Sequence, residues 1–177
     1  AEIQRLQRTK DVGPEAFIAP ISELVVYSPA KENMMALDQL LAQTGRAKTG
    51  IRLELIKKSI EANKDDGRAL AFLARMLSGA EQITDRDPAL ALQTASQAVA
   101  IRRSSAILAA QARVQYECGL LQIARATMTD ALTVAESEGV DEAILTELKT
   151  QIAYYQKLIE LSATDRVAPD AAAGSGK

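Results

Sequence analysis

The chain has 177 residues, the length of one ordinary domain, and a formal net charge of −2, too weak a field to suggest nucleic-acid binding. Hydrophobic residues make up 47% but aromatics only 3%, an alanine-rich mix that suits close-packed helices and argues against a β-sandwich. The absence of histidine removes Ser-His-Asp and Cys-His centres and the commonest transition-metal ligand, while the sole cysteine, Cys118, excludes an intrachain disulfide or a cysteine zinc site.

Residues 1–12 carry Arg5, Arg8 and Lys10, with Ile3 and Leu6 as weak apolar positions, in a pattern that fits a short helix ended by Gly13-Pro14. The start at Ala1-Glu2, with no initiator methionine, reads either as a segment boundary or as the residue after a cleaved secretory signal. It tilts the expectation toward an exported or periplasmic protein, with a cytoplasmic one still open. Pro20 and Pro29 break up the next stretch, whose apolar core runs from Ile21 to Tyr27. With no second strand in sight, residues 1–30 are expected as an arm, either packed across the helices or ordering on a partner. No apolar run approaches the ~20 residues that span a bilayer.

Ser28-Pro29 reads as a helix start, an N-cap followed by proline at the first helical position. That helix runs through Met34, Met35, Leu37, Leu40 and Leu41 and ends at Gly45. The next, over about 48–63, carries Ile51, Leu53, Leu55, Ile56 and Ile60, and Asp65 or Asp66 caps its successor. That successor, a helix over 67–78, turns Leu70, Leu73, Ala74 and Leu77 inward and ends at Gly79. After the connection GAEQITDRD, read as an insertion, Asp87-Pro88 restarts a helix with Ala91, Ala95 and Ala98.

Residues 105–138 read as two amphipathic helices meeting at Gly119. Ile107, Leu108, Ala112, Val114 and Tyr116 recur at helical spacing in the first, and Leu120, Leu121, Ala124, Met128, Ala131 and Leu132 in the second. Ala112 and Ala124 leave room where the two helices approach. This stretch resembles a tetratricopeptide repeat, a helix–turn–helix unit, with 67–104 as a second repeat and 33–66 as a first, degenerate one. In the first, Arg52 stands where a small residue belongs, so a more splayed pair is expected. A last helix over 141–163 places Leu145, Leu148, Ile152, Tyr155 and Ile159 at heptad spacing, with Lys149, Gln156 and Glu160 outside. Capping of the array is the favoured reading, a coiled-coil seam the alternative. The expected organisation is an arm over 1–30, a repeat domain over 31–163 and a disordered tail over 164–177.

The resemblance implies an all-α, antiparallel helix-pair solenoid in which the first helix of each repeat lines a groove. Its groove positions fall on Met34, Leu37 and Leu41, then on Arg68, Ala71 and Arg75, then on Ala109, Arg113 and Tyr116. Arg75 and Arg113, at equivalent positions, are expected side by side. Arg68, Arg75, Arg113 and Tyr116 are the candidate partner-binding residues. The alternative for the arginines is ordinary solvated residues paired with neighbouring acids.

Little chemistry competes with this reading. The tail AAAGSGK imitates a phosphate loop but lacks its first glycine and the Ser or Thr after lysine and precedes no helix, and Gly45 to Thr49 lacks the Gly-Lys pair and follows a helix, not a strand. Glu136, Glu138, Asp141, Glu142 and Glu147 cluster at one turn but lack calcium-loop spacing, and helix-dipole effects account for them. No enzyme, cofactor or metal site is expected. The expected function is a protein-interaction module, a scaffold or assembly factor in a multi-subunit complex. The alternative is a structural accessory subunit without a free groove. Cys118 is expected as a buried, inert thiol.

Overall fold

The structure is a computed structural model that describes residues 12–47, 50–79 and 86–167, with side chains to 163. Among these residues there is no strand. After a 3-10 turn at Pro14–Phe17 come eight α-helices: α1 (Ile18–Tyr27), α2 (Lys31–Gln43), α3 (Ile51–Ala62), α4 (Gly67–Ser78), α5 (Pro88–Ile101), α6 (Ser105–Glu117), α7 (Leu121–Glu138) and α8 (Glu142–Val167). The fold is all-α. None of these helices is long and apolar enough to cross a membrane. The chain forms two compact units, Ala1–Arg103 and Ser104–Lys177.

In the first unit, α4 packs on α5 because both present narrow, apolar faces. Leu70, Leu73, Ala74 and Leu77 are fully buried, and they meet Ala91, Ala95 and Ala98, whose small side chains let the backbones approach. Both helices start on aspartates. Asp66 accepts from the N–H groups of Arg68 and Ala69 at 2.9 and 3.1 Å, and Asp87 accepts from that of Leu90 at 3.1 Å, with Pro88 at the first helical position. Residues 80–85 of the expected insertion lie outside the described residues.

The beginning of this unit departs from a simple helix pair. α1 packs on both α2 and α3, which meet each other much less closely. Residues 14–27, part of the expected arm, are thus a turn and a helix docked in the unit, while residues 1–11 lie outside the described residues. Arg52 lies between α2 and α3. Its bulk occupies the position expected to be small, and its guanidinium donates to Asp38 on α2 at 2.9 Å and to the Met76 sulfur on α4 at 3.6 Å. Ser59 and Asn63 on α3 then complete α1. The buried Ser59 hydroxyl reaches the carbonyls of Val25 and Val26 at 3.0 and 3.1 Å, and the Asn63 amide donates to Val26 at 2.8 Å. These are the carbonyls that a helix end leaves without partners.

Two local expectations need correction. Ser28 does not cap α2, because it ends α1, its N–H bonded to the Leu24 carbonyl at 2.8 Å. α2 begins at Lys31, and Asn33 reaches back to the Ser28 carbonyl at 2.7 Å. Met34, Leu37 and Leu41 do not face a groove. They are buried, because α1 packs on α2 and makes their face part of the core.

The second unit is three helices in sequence, α6 on α7 and α7 on α8. Ala112, Ala124 and Ala131 are fully buried, and Gly119 takes the left-handed conformation (φ 81°) that the tight turn requires. Glu138, at the end of α7, accepts from both the N–H and the hydroxyl of Ser105 at the start of α6, closing the pair from end to end. On α8, Leu148 and Tyr155 are buried, and Leu145, Ile152 and Ile159 half-buried. Gln156, expected outside, accepts from Arg125 on α7 at 2.6 Å in an exposed hydrogen bond. α8 continues to Val167, past the expected boundary at 163, and residues 168–177 of the expected tail lie outside the described residues.

Candidate interaction surfaces

In the first unit, burial of Leu70, Leu73, Ala74 and Leu77 settles which side of α4 is left over. Arg68, Phe72 and Arg75, at i, i+4 and i+7, share one stripe. Both arginines are exposed, Phe72 is half-buried, and neither guanidinium has an acid in ion-pair range among the described residues. Ala71, the expected groove position between them, is instead buried. Arg68 lines an open cavity of about 380 Å³ with Tyr27 and Pro29 from the end of α1 and Asn63, Asp66 and Phe72 beyond. The Asp66 carboxylate there is already committed to the α4 cap. The N-terminal helix therefore supplies one wall of this cavity, which no local pattern in the sequence signals.

A second cavity, of about 480 Å³, opens between α3 and α5, with Lys57, Lys58, Glu61 and Asp87 around Ile60 and Leu90. Lys57 and Asp87 approach to 3.7 Å, so this cavity carries its own charge balance. Neither sign is in excess.

In the second unit, Arg113 and Tyr116 lie one turn apart on α6, Arg113 exposed and Tyr116 half-buried. Tyr116 stacks on Tyr155 of α8, with centroids 5.1 Å apart and planes 23° apart. It also meets Tyr154 edge to face at 6.1 Å, and the two hydroxyls lie 3.2 Å apart. Adjacent residues on a helix point about 100° apart, which is how Tyr155 is 1% exposed and Tyr154 46%. The hydrogen bond with Tyr154, then burial, push the Tyr116 hydroxyl above its ordinary range. Burial does the same to Tyr155, partly opposed by the positive charge of Arg113. Neither Tyr154 nor its bond to Tyr116 is expected from the sequence, where the α8 heptad marks only Tyr155.

Arg75 belongs to the first unit and Arg113 to the second, so the expected pair is a feature of neither. Cys118, expected as buried, is half-buried. Burial raises its thiol, with Glu117 adding to the shift. Among the described residues, no three acidic, cysteine or histidine groups converge as a metal site. No family model, curated protein or solved structure matches this chain.

Proposed function

We propose that the chain is a protein-interaction module of tetratricopeptide-like helix pairs, a scaffold or assembly factor that binds a peptide or protein partner and performs no catalysis. Two direct pairs, α4 with α5 and α6 with α7, support the repeat reading, each joined by contacts through buried alanines. The observation that carries the binding reading is the set of exposed arginines. Arg68, Arg75 and Arg113 stand on the first helix of each pair, with no described acid in ion-pair range. Such guanidiniums suit carboxylates, to which they form charge-assisted, often bidentate bonds.

A structural accessory subunit is the second reading, favoured by exposed apolar side chains: Leu24, Tyr27 and Met35 in the first unit, Ile144 and Leu161 in the second. A fluorescein-labelled hexaglutamate peptide distinguishes the two. The interaction reading expects saturable binding that weakens with salt and falls about tenfold or more when Arg68, Arg75 and Arg113 are all changed to alanine. Equal binding by the triple variant, with helicity unchanged, would remove the arginine surfaces from recognition and put the structural reading first.

A further inference from the structure

α8 packs on α7 through one side, where Leu148 and Tyr155 are buried. Charged groups gather on one flank of that side: Lys149 pairs with Glu142 at 3.9 Å, and Gln156 donates to Glu160 at 2.7 Å. The opposite flank is different. There Ile144, Glu147, Gln151, Tyr154, Leu158 and Leu161 follow one another at intervals that alternate three and four. At about 100° per residue this spacing keeps all six in one stripe, the pattern by which helices pair along a seam. Ile144, Tyr154 and Leu161 are 44, 46 and 53% exposed and Leu158 is half-buried, so the stripe is largely uncovered.

α8 also outruns its support. It has 26 residues against 18 in α7, from which it turns back at Gly139. About eight residues, or ~12 Å of helix, therefore extend past the start of α7. Leu161 falls in this overhang.

The charges say what fits the stripe. Glu147 is the acid within it and Lys157 the base at its border, both exposed. Two copies of α8 laid antiparallel, with Ile144 of one level with Leu161 of the other, satisfy both. The same register sets Gln151 against Tyr154 and Glu147 beside Leu158 and Lys157. Each contact occurs twice, as a twofold interface requires. The overhang of each copy then lies along the start of α8 in the other. Laid parallel, Glu147 would meet Glu147 and Lys157 would meet Lys157, a juxtaposition of like charges that disfavours pairing. The stripe carries its own complement, and a second copy of this chain is the occupant it fits.

We propose that the 144–161 flank of α8 is a homodimer seam, two copies pairing antiparallel through Ile144, Gln151, Leu158 and Leu161, with Glu147 and Lys157 as reciprocal ion pairs. The seam covers Ile144 and Leu161 without a neighbouring subunit of another kind. It uses none of the arginines of α4 and α6, so it and the carboxylate reading fail separately.

The test is sedimentation equilibrium of the full chain from about 5 to 500 µM, with helicity followed by circular dichroism. A reversible monomer–dimer equilibrium is expected. Leu161→Lys, at an exposed position, should weaken it about tenfold or more with helicity intact. Glu147→Lys and Lys157→Glu should each weaken it about fivefold, and the two changes on one chain should restore it. These exposed exchanges keep the test decisive should Leu161→Lys disturb the helix end. A chain that stays monomeric over the whole range overturns the proposal and leaves the stripe to another partner. A dimer unchanged by Leu161→Lys, or one that the double charge exchange does not rescue, overturns it too. If hexaglutamate binds through the arginines while the chain stays monomeric, the interaction reading stands and the seam falls. If the chain dimerises by this pattern and hexaglutamate does not bind, the reverse holds.

Discussion

The α6–α7 pair and the α2–α3 pair hold the same place in the repeat register expected from the sequence, and among the many positions at which they differ is the one expected to be small in the second helix. Where the second helix carries Ala124, a methyl group leaves the two backbones free to pack directly. Where it carries Arg52, the side chain takes Asp38 as partner at 2.9 Å, and the two helices are not a closely packed pair. A third helix, α1, then packs on both, and Ser59 and Asn63 satisfy its exposed carbonyls. Beside the bulky, charged Arg52 the set of neighbouring helices is different, and a segment from outside the pair completes the core. Small side chains in this fold are a condition of pairing.

The sharpest way to break that comparison is Ala124→Leu. The Ala124 side chain is fully buried, so the added atoms must displace neighbours, and the second unit should lose about 1–3 kcal/mol in a urea titration. An unchanged midpoint would mean that the small residue is not what brings α6 to α7. Ser59→Ala tests the other side. Removing the hydroxyl leaves two carbonyls at the end of α1 without that donor, and about 1–2 kcal/mol should be lost from the first unit. Amide exchange localises the effect: α1 should open before α4 and α5 do. Uniform acceleration across the unit would show instead that α1 is an integral part of one cooperative core.

The smallest expected effect separates the units by pH. Tyr116 is raised first by its bond with Tyr154, and Tyr155 first by burial, both from an ordinary value near 10. The folded state therefore holds these protons more firmly than the unfolded chain does. Their contribution is complete below about pH 10 and is lost as the pH rises through the raised values. Alkaline loss of helicity should begin in the second unit, and ultraviolet titration should show tyrosinate forming above the ordinary range. A single normal tyrosine transition, with both units unfolding together, would contradict this placement.

What was legible in the sequence was local. The buried stripe of α4, the aspartate caps of α4 and α5, the glycine turn after α6 and the inward row of α8 all come from residues within a few positions of one another. α1 was harder to read because its prolines look like helix breakers. Pro14 opens the 3-10 turn and Pro20 sits in the first turn of α1, both places where a missing N–H leaves no hydrogen bond unmade. Glu138 reads as one acid among several at a solvated turn, yet its partner Ser105 lies 33 residues earlier. The arginines of α4 and α6, which are exposed, were picked out by the repeat register expected from the sequence. Tyr154 does not, since nothing in the spacing says which of two adjacent tyrosines stays outside and hydrogen-bonds there.

The bonds that complete α1 also order events in time. Ser59 and Asn63 come after their carbonyl partners by 33 to 37 residues, while the two aspartate caps act across three residues or fewer. As the chain is synthesised, α1 leaves the ribosome before the side chains that complete it exist, and its last carbonyls face water until α3 arrives. Contacts of such long sequence separation form after a loop has closed. α1 is therefore made before the side chains that complete it, and until α3 arrives the apolar face of α2 is open to any other segment that reaches it first.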